Sequence, residues 1–128
     1  MASENIKSVT LTPTANQVIA QGRFVTFAGN AATIQHSGNG IDAVGVAQEP
    51  SANGSSTPIP VAVLDGGKFE VQAGAAITAG ARVMSNANGQ AITATGGNNR
   101  VLGHALEAAS AAGEFITVML IKSAGTVT

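Results

Sequence analysis

Alternation of polar and apolar residues along this chain predicts a series of short β-strands. In the clearest case, Lys68–Gln72, polar and apolar side chains take turns, which is the period-2 pattern of a strand with one buried face. The apolar run at residues 115–121 is instead apolar on both faces, which is typical of a strand in a sandwich core or between the core and a subunit interface. The other strands that the pattern predicts are residues 8–12, 23–27, 33–35, 43–47, 59–64 and 101–107.

The second half of the sequence repeats the first. The pattern Ile-x-x-Gly-x-x-Val occurs at residues 19–25 and 77–83, and Gly-x-Ala-x-Glu occurs at residues 45–49 and 103–107. Both pairs are 58 residues apart without a gap, and the same offset aligns Ile34 with Ile92. The repeat predicts a duplicated β unit, too few copies for a solenoid.

These patterns predict an all-β fold, a small barrel, β-clip-like domain or sandwich built from the duplicated unit. We expect an N-terminal flexible arm at residues 1–12, one β domain at residues 13–121 and a polar tail at residues 122–128. The repeats divide that domain at about residues 13–64 and 65–121. Residues 50–58, rich in Pro, Ser and Gly, are a linker or a long hairpin loop. Residues 105–112 have high helix propensity, but the stretch is short and ends at Gly113, so we predict a loop.

The composition indicates a core with few large side chains. The hydrophobic fraction is 45%, yet 24 residues are alanine, and the aromatic residues are four Phe with no Trp or Tyr. Alanine removes little apolar surface from water, so each half closes its core poorly alone. Only 10% of residues are charged, which leaves much neutral surface. We therefore expect the domain to be completed by association.

Charge and cysteine content exclude several classes of protein. The net charge is −1 and the six Lys and Arg residues are scattered, whereas nucleic-acid binders usually carry a basic stripe. The longest apolar run is too short to span a bilayer, and no signal peptide is visible. The absence of cysteine removes disulfides and thiolate metal sites. We expect no nucleic-acid or membrane partner and synthesis in a host cytoplasm.

No group of residues in the sequence points to catalysis. His104 and Glu107 would share a face on a helix and could then bind a metal, but on the predicted strand they point to opposite faces. Glu49 and Glu107 occupy equivalent repeat positions, so the duplication explains their recurrence and favours a structural role at a strand end. We expect no enzyme activity and no catalytic, cofactor-binding or metal-binding residue.

Several stretches together resemble the small capsid cement proteins of tailed phages, also called decoration or head-stabilising proteins and formerly a domain of unknown function. They are residues 61–71, 77–83, 101–109 and 117–121, whose glycine turns and aliphatic strands match the family pattern. The resemblance covers residues 43–121 well and the N-terminal part loosely. The Ile-x-x-Gly-x-x-Val turn is also similar to that of β-clip domains, which some head-stabilising proteins share.

This resemblance implies a non-enzymatic protein that binds the outer surface of the major capsid shell and stabilises it. Its partners would be the major capsid protein and itself, as a homotrimer or alternatively a dimer, and its place would be the outer surface of the virion. In such proteins an N-terminal arm often contacts the capsid lattice, here residues 2–12. The candidate capsid or subunit contacts are Ile6, Val9, Leu11, Phe24, Phe27, Phe115 and Met119.

The main alternative is a ligand- or glycan-binding β module of a virion or cell surface. Sugar sites usually contain Trp or Tyr platforms, and this chain has neither, which argues against that class. Another virion part, such as a tail protein, stays open, whereas the length disfavours a major capsid protein.

Overall fold

The computed structural model describes residues 8–11, 19–27, 34–50, 59–63, 67–96, 99–121 and 126–127. Residues 1–7 and 12 of the predicted arm, residues 51–58 of the predicted linker at 50–58 and most of the predicted tail lie outside the described residues. Within the described ranges the structure has twelve β-strands and no helix. The strands are β1 (Ser8–Leu11), β2 (Phe24–Phe27), β3 (Ile34–His36), β4 (Gly45–Ala47), β5 (Ile59–Val63), β6 (Lys68–Gln72), β7 (Arg82–Ser85), β8 (Ala91–Thr93), β9 (Asn99–Arg100), β10 (Gly103–Ala105), β11 (Phe115–Leu120) and β12 (Thr126–Val127).

Ten of these strands form two five-stranded sheets. The first sheet has the order β1-β5-β4-β2-β3 and the second sheet has the order β6-β11-β10-β7-β8. Neighbouring strands in both sheets are antiparallel, and β9 pairs with β12 as a separate ribbon. The all-β prediction is confirmed, and the described strands form two open sheets, not a closed barrel.

The two sheets have the same connectivity. When β1 to β5 of the first sheet are matched in order with β6, β7, β8, β10 and β11, the two strand orders become identical. Hydrogen bonds between the repeated motifs also recur. Gly22 N–H donates to the carbonyl of Ala47 at 2.8 Å, and Gly80 N–H donates to that of Ala105 at 2.7 Å. Both glycines have positive φ, 79° and 88°, which favours glycine at the turn. The sequence repeat is thus a structural repeat.

Among the motifs that the ungapped offset aligned, it is wrong for β3 and β8. It places β7 and β10 58 residues after β2 and β4, as predicted. In the β2–β3 hairpin, however, Ile34 lies opposite Phe27, and in the β7–β8 hairpin Ala91 lies opposite Ser85. Ile34 therefore corresponds to Ala91 and not to Ile92, because the second hairpin is one residue shorter.

The buried residues form two clusters, and the larger one joins the sheets. The smaller cluster lies on one face of the first sheet and contains Ile19, Val25, Ile34, Ala47 and Val61. The larger cluster contains inward-facing residues of the second sheet, among them Val71, Val83, Ile116, Val118 and Leu120. Phe24 and Val46, which lie opposite each other on the other face of the first sheet, also belong to it. The first sheet thus contributes buried residues on both faces.

The structure also tests the predictions for two short segments, the N-terminal strand and the alanine-rich stretch after β10. The predicted strand at residues 8–12 is present as β1, paired with β5, so these residues of the predicted arm belong to the first sheet. The alanine-rich stretch after β10 is a loop, as predicted, in which Ala109 forms an isolated bridge with Ile77. The bridge holds the loop against the larger cluster, to which both residues belong.

Two local contacts constrain individual residues. A side chain on Gly103 would clash with the main-chain carbonyl of Met119 in the adjacent strand, so the close approach of β10 to β11 requires glycine there. His36 Nε2 accepts a hydrogen bond from Ala20 N–H at 3.0 Å. Burial, and secondly the nearby charge of Arg23, lower the pKa of His36 below its ordinary value. Because Nε2 is an acceptor, His36 is neutral in this arrangement.

Candidate functional site

The structure separates the predicted contact residues into buried, exposed and undescribed positions. Phe27, Phe115 and Met119 are 40%, 46% and 38% exposed, respectively. Val9 and Leu11 lie in β1, opposite Val61 and Ile59, and Ile6 lies outside the described residues. Phe115 and Met119 share one face of β11, four residues apart, whereas Phe27 ends β2 of the first sheet.

Phe24 is corrected from contact candidate to core residue. Its side chain is fully buried in the larger cluster, next to Val46 on the neighbouring strand. The reason is that the second sheet covers the face of the first sheet on which Phe24 lies. A partner protein cannot reach this side chain in the folded chain.

The outer face of the second sheet carries a row of basic residues that sequence reasoning missed. Arg82 lies opposite His104, His104 lies opposite Met119, and Met119 lies opposite Lys68. These four residues, which we call the basic row, cross β7, β10, β11 and β6 in one line. At about 4.8 Å between neighbouring strands, the row is roughly 14 Å long. The 58-residue offset could have revealed it, because that offset aligns Arg82 and His104 with the apolar Phe24 and Val46.

Glu107 has the structural role expected at a strand end. Its carboxylate accepts a hydrogen bond at 2.9 Å from the main-chain N–H of Thr117 in β11, beyond the last paired residue of β10. This hydrogen bonding to Thr117 lowers the pKa of Glu107. Glu49 differs, because the register makes Pro60 the counterpart of Thr117, and proline has no N–H to donate. The duplication therefore repeats the carboxylate but not its hydrogen bond.

His104 and Glu107 lie in different surroundings. His104 faces outward in the basic row, while Glu107 is held by Thr117 beyond the end of the strand. In the described part of the chain, no group of three or more His, Asp or Glu residues could hold a metal ion. The described segments also contain no helix that could cross a membrane.

A cleft of about 260 Å³ lies where the two sheets meet beside Phe115. Val46 and Phe69 give it apolar walls, and Gln48 and Glu70 contribute polar groups. The buried Nε2 of Gln48 has no hydrogen-bond acceptor. Among the described lining residues, Glu70 is the only ionisable one, so the cleft lacks a paired acid and base.

Comparison with known families decides the identity. A model of the phage cement protein family matches residues 3–120 of this chain. The chain belongs to the phage cement protein family. A search of curated proteins gave no match. Membership gives this cement protein a structural role associated with the capsid of a bacteriophage.

A solved phage structure has the same fold. The cement protein superimposes on the N base of head fiber gp8.5 of bacteriophage phi29 with a TM-score of 0.78. The match covers 94% of this chain and 98% of that chain, at 22% sequence identity. At this identity the likeness concerns the fold, and it extends over both sheets of the cement protein.

Proposed function

We propose that this cement protein binds the outer surface of the major capsid shell and stabilises the assembled shell. The match of the cement family model to residues 3–120 carries the proposal. A protein that binds the assembled shell, and not its dissociated subunits, stabilises the shell by mass action. This function requires many identical contacts of moderate strength and no catalytic residue.

The half-exposed Phe115 and Met119 support a contact surface on the second sheet. Large apolar side chains on an otherwise polar face are typical of protein–protein contacts. The N-terminal segment supplies a second proposed contact, with Ile6, Val9 and Leu11 as its apolar residues. Among the described strands β1 has a neighbour on one side only, so its other edge could add a strand of the capsid protein.

We further propose that the protein associates as a homotrimer through its remaining apolar surface, including Phe27. The composition supports association, because only one of the four Phe residues is among the fully buried side chains of the described chain. A cyclic trimer would bury surface that each chain leaves open, in closed symmetry. A trimer also matches the threefold and quasi-threefold positions of an icosahedral shell.

The test uses the purified full chain and cognate phage heads that lack it. Sedimentation velocity at micromolar concentration is expected to give a single species of three chains. Co-sedimentation with expanded heads is expected to saturate at a fixed number of chains per shell, and dissociated capsid protein is expected not to bind. A monomer or dimer would refute the trimer, and absence of saturable binding to heads would refute the capsid function.

A further inference from the structure

The basic row concentrates positive charge that the sequence spreads over the chain. Arg82, His104 and Lys68 are three of the eight residues that are Lys, Arg or His, and the register brings them into one line with Met119. Arg82 and Lys68 are exposed, and His104 is half-buried. In a protein of net charge −1, the row itself therefore holds the charges of Arg82 and Lys68 and no carboxylate.

The equivalent positions in the first sheet carry no charged residue. There the register aligns Phe24, Val46, Ala62 and Ser8 across β2, β4, β5 and β1. Phe24 and Val46 are buried because the second sheet covers them. Apolar residues are therefore compatible with these strand positions when another sheet covers them. Formation of the second sheet does not by itself require basic residues there.

The side chains of the basic row have no partner within the described chain. None of Lys68, Arg82 and His104 makes a side-chain hydrogen bond or ion pair there. Two carboxylates lie beside the row, that of Glu70, opposite Thr117, and that of Glu107, which accepts the Thr117 N–H, and neither makes an ion pair with the basic residues. The charges are therefore available to an external group of opposite sign, and the half-exposed Met119 between them offers an adaptable apolar contact.

We propose that the basic row binds an acidic segment of the major capsid protein, with carboxylates meeting Arg82 and Lys68 on either side of Met119. This inference rests on the proposed function and names the surface and the partner chemistry for it. Charge complementarity of this kind sets orientation and the rate of association. Three basic groups without stacking Trp or Tyr residues are too few for a nucleic-acid site, and a second copy of the chain, with net charge −1, offers no comparable acidic excess as a whole.

A matched pair of charge reversals tests the proposal. Arg82→Glu changes the basic row, and Arg100→Glu makes the same change at an exposed strand position in β9. Binding of each purified full-length variant to cognate heads lacking the protein is measured by co-sedimentation at low and at high salt. Circular dichroism and thermal melting check that each variant keeps the fold.

We expect Arg82→Glu to weaken binding about tenfold at low salt, since reversal replaces an attraction by a repulsion, and Arg100→Glu to change it less than about twofold. High salt should reduce the difference between Arg82→Glu and the wild type, because the affected charges are exposed. The double variant Lys68→Gln, Arg82→Gln, which only removes charge, should also bind more weakly than the wild type.

The alternative explanation is that the basic residues only keep this face soluble. In that case Arg82→Glu would bind heads as well as the wild type, because a glutamate is equally well solvated, and the inference would be overturned while the capsid function stands. Equal loss of binding in Arg82→Glu and Arg100→Glu would also overturn it, because the effect would then reflect net charge. If the wild type fails to bind heads, the proposed function fails, and this inference fails with it.

Discussion

Replacement of Phe24 by alanine tests how the two sheets are held together. Phe24 is the only Phe among the fully buried side chains of the described residues, and it extends from the first sheet into the cluster formed mainly by the second. Its removal would leave a cavity between the sheets. Phe27→Ala is the matched control, because it makes the same change three residues later in the same strand, where the side chain is 40% exposed.

The expected magnitudes follow from burial. Truncation of a buried Phe to Ala costs about 3–5 kcal/mol, from lost burial and the cavity together. Phe27 retains solvent contact and lies outside both clusters, so we expect its truncation to cost about 1 kcal/mol. The difference between the variants should therefore be at least about 2 kcal/mol in the free energy of unfolding.

Urea denaturation followed by circular dichroism measures this difference. All proteins are compared at a protomer concentration low enough for each to be a monomer, because Phe27 belongs to the proposed trimer contact and association adds to apparent stability. We expect a single transition with a similar m-value in the wild type and both variants, since the larger cluster joins the sheets into one cooperative unit. Equal losses for the two variants, or separate transitions for the two sheets in the wild type, would refute the description of the core.

Three further predictions concern single contacts. Stability should fall as the pH is lowered below about 6.5, the ordinary pKa of histidine, because the unfolded chain then binds a proton that folded His36, with its lowered pKa, resists. His36→Gln should therefore make the melting temperature less dependent on pH between pH 7 and about 5, and an unchanged pH profile in this variant would contradict the prediction. Glu107→Gln should lower the melting temperature at neutral pH, and the difference from wild type should shrink as the pH falls below 4.5, the ordinary pKa of glutamate, toward the lowered pKa of Glu107. Glu49→Gln should leave the melting temperature at neutral pH unchanged, and equal effects of the two substitutions would contradict the distinction drawn from the register. Gly103→Ala should lower the free energy of unfolding, measured by urea denaturation, by about 1–3 kcal/mol, because the new methyl group overlaps main-chain atoms of the next strand. An unchanged free energy of unfolding would show that β10 and β11 can move apart.

Local patterns were enough to predict most strands and the duplication. The β6 bounds match the prediction, and β11 ends one residue before the predicted run. The motif containing Gly22 and Gly80 identified equivalent turns, because only a residue tolerating positive φ suits that position in both copies. Four strands were not predicted from alternation: β7 and β8, to which only the repeat pointed, and the two-residue β9 and β12, which are too short to show any period.

The errors came from long-range packing and from register. Phe24 and Phe27 both looked like surface candidates, and only the position of the second sheet determines that Phe24 is buried. An ungapped alignment could not show the one-residue difference between the hairpins, although a slip of one residue moves a side chain to the other face. The basic row was missed because its members are far apart in sequence and adjacent only across strands.

The central claim is that this chain reinforces an assembled phage shell. The most direct measurement is differential scanning calorimetry of cognate expanded heads that lack the protein, with and without saturating purified protein. The account predicts that the melting temperature of the shell rises with the number of bound chains, while that of unassembled capsid protein stays the same. An unchanged shell melting temperature at full occupancy would contradict the claim.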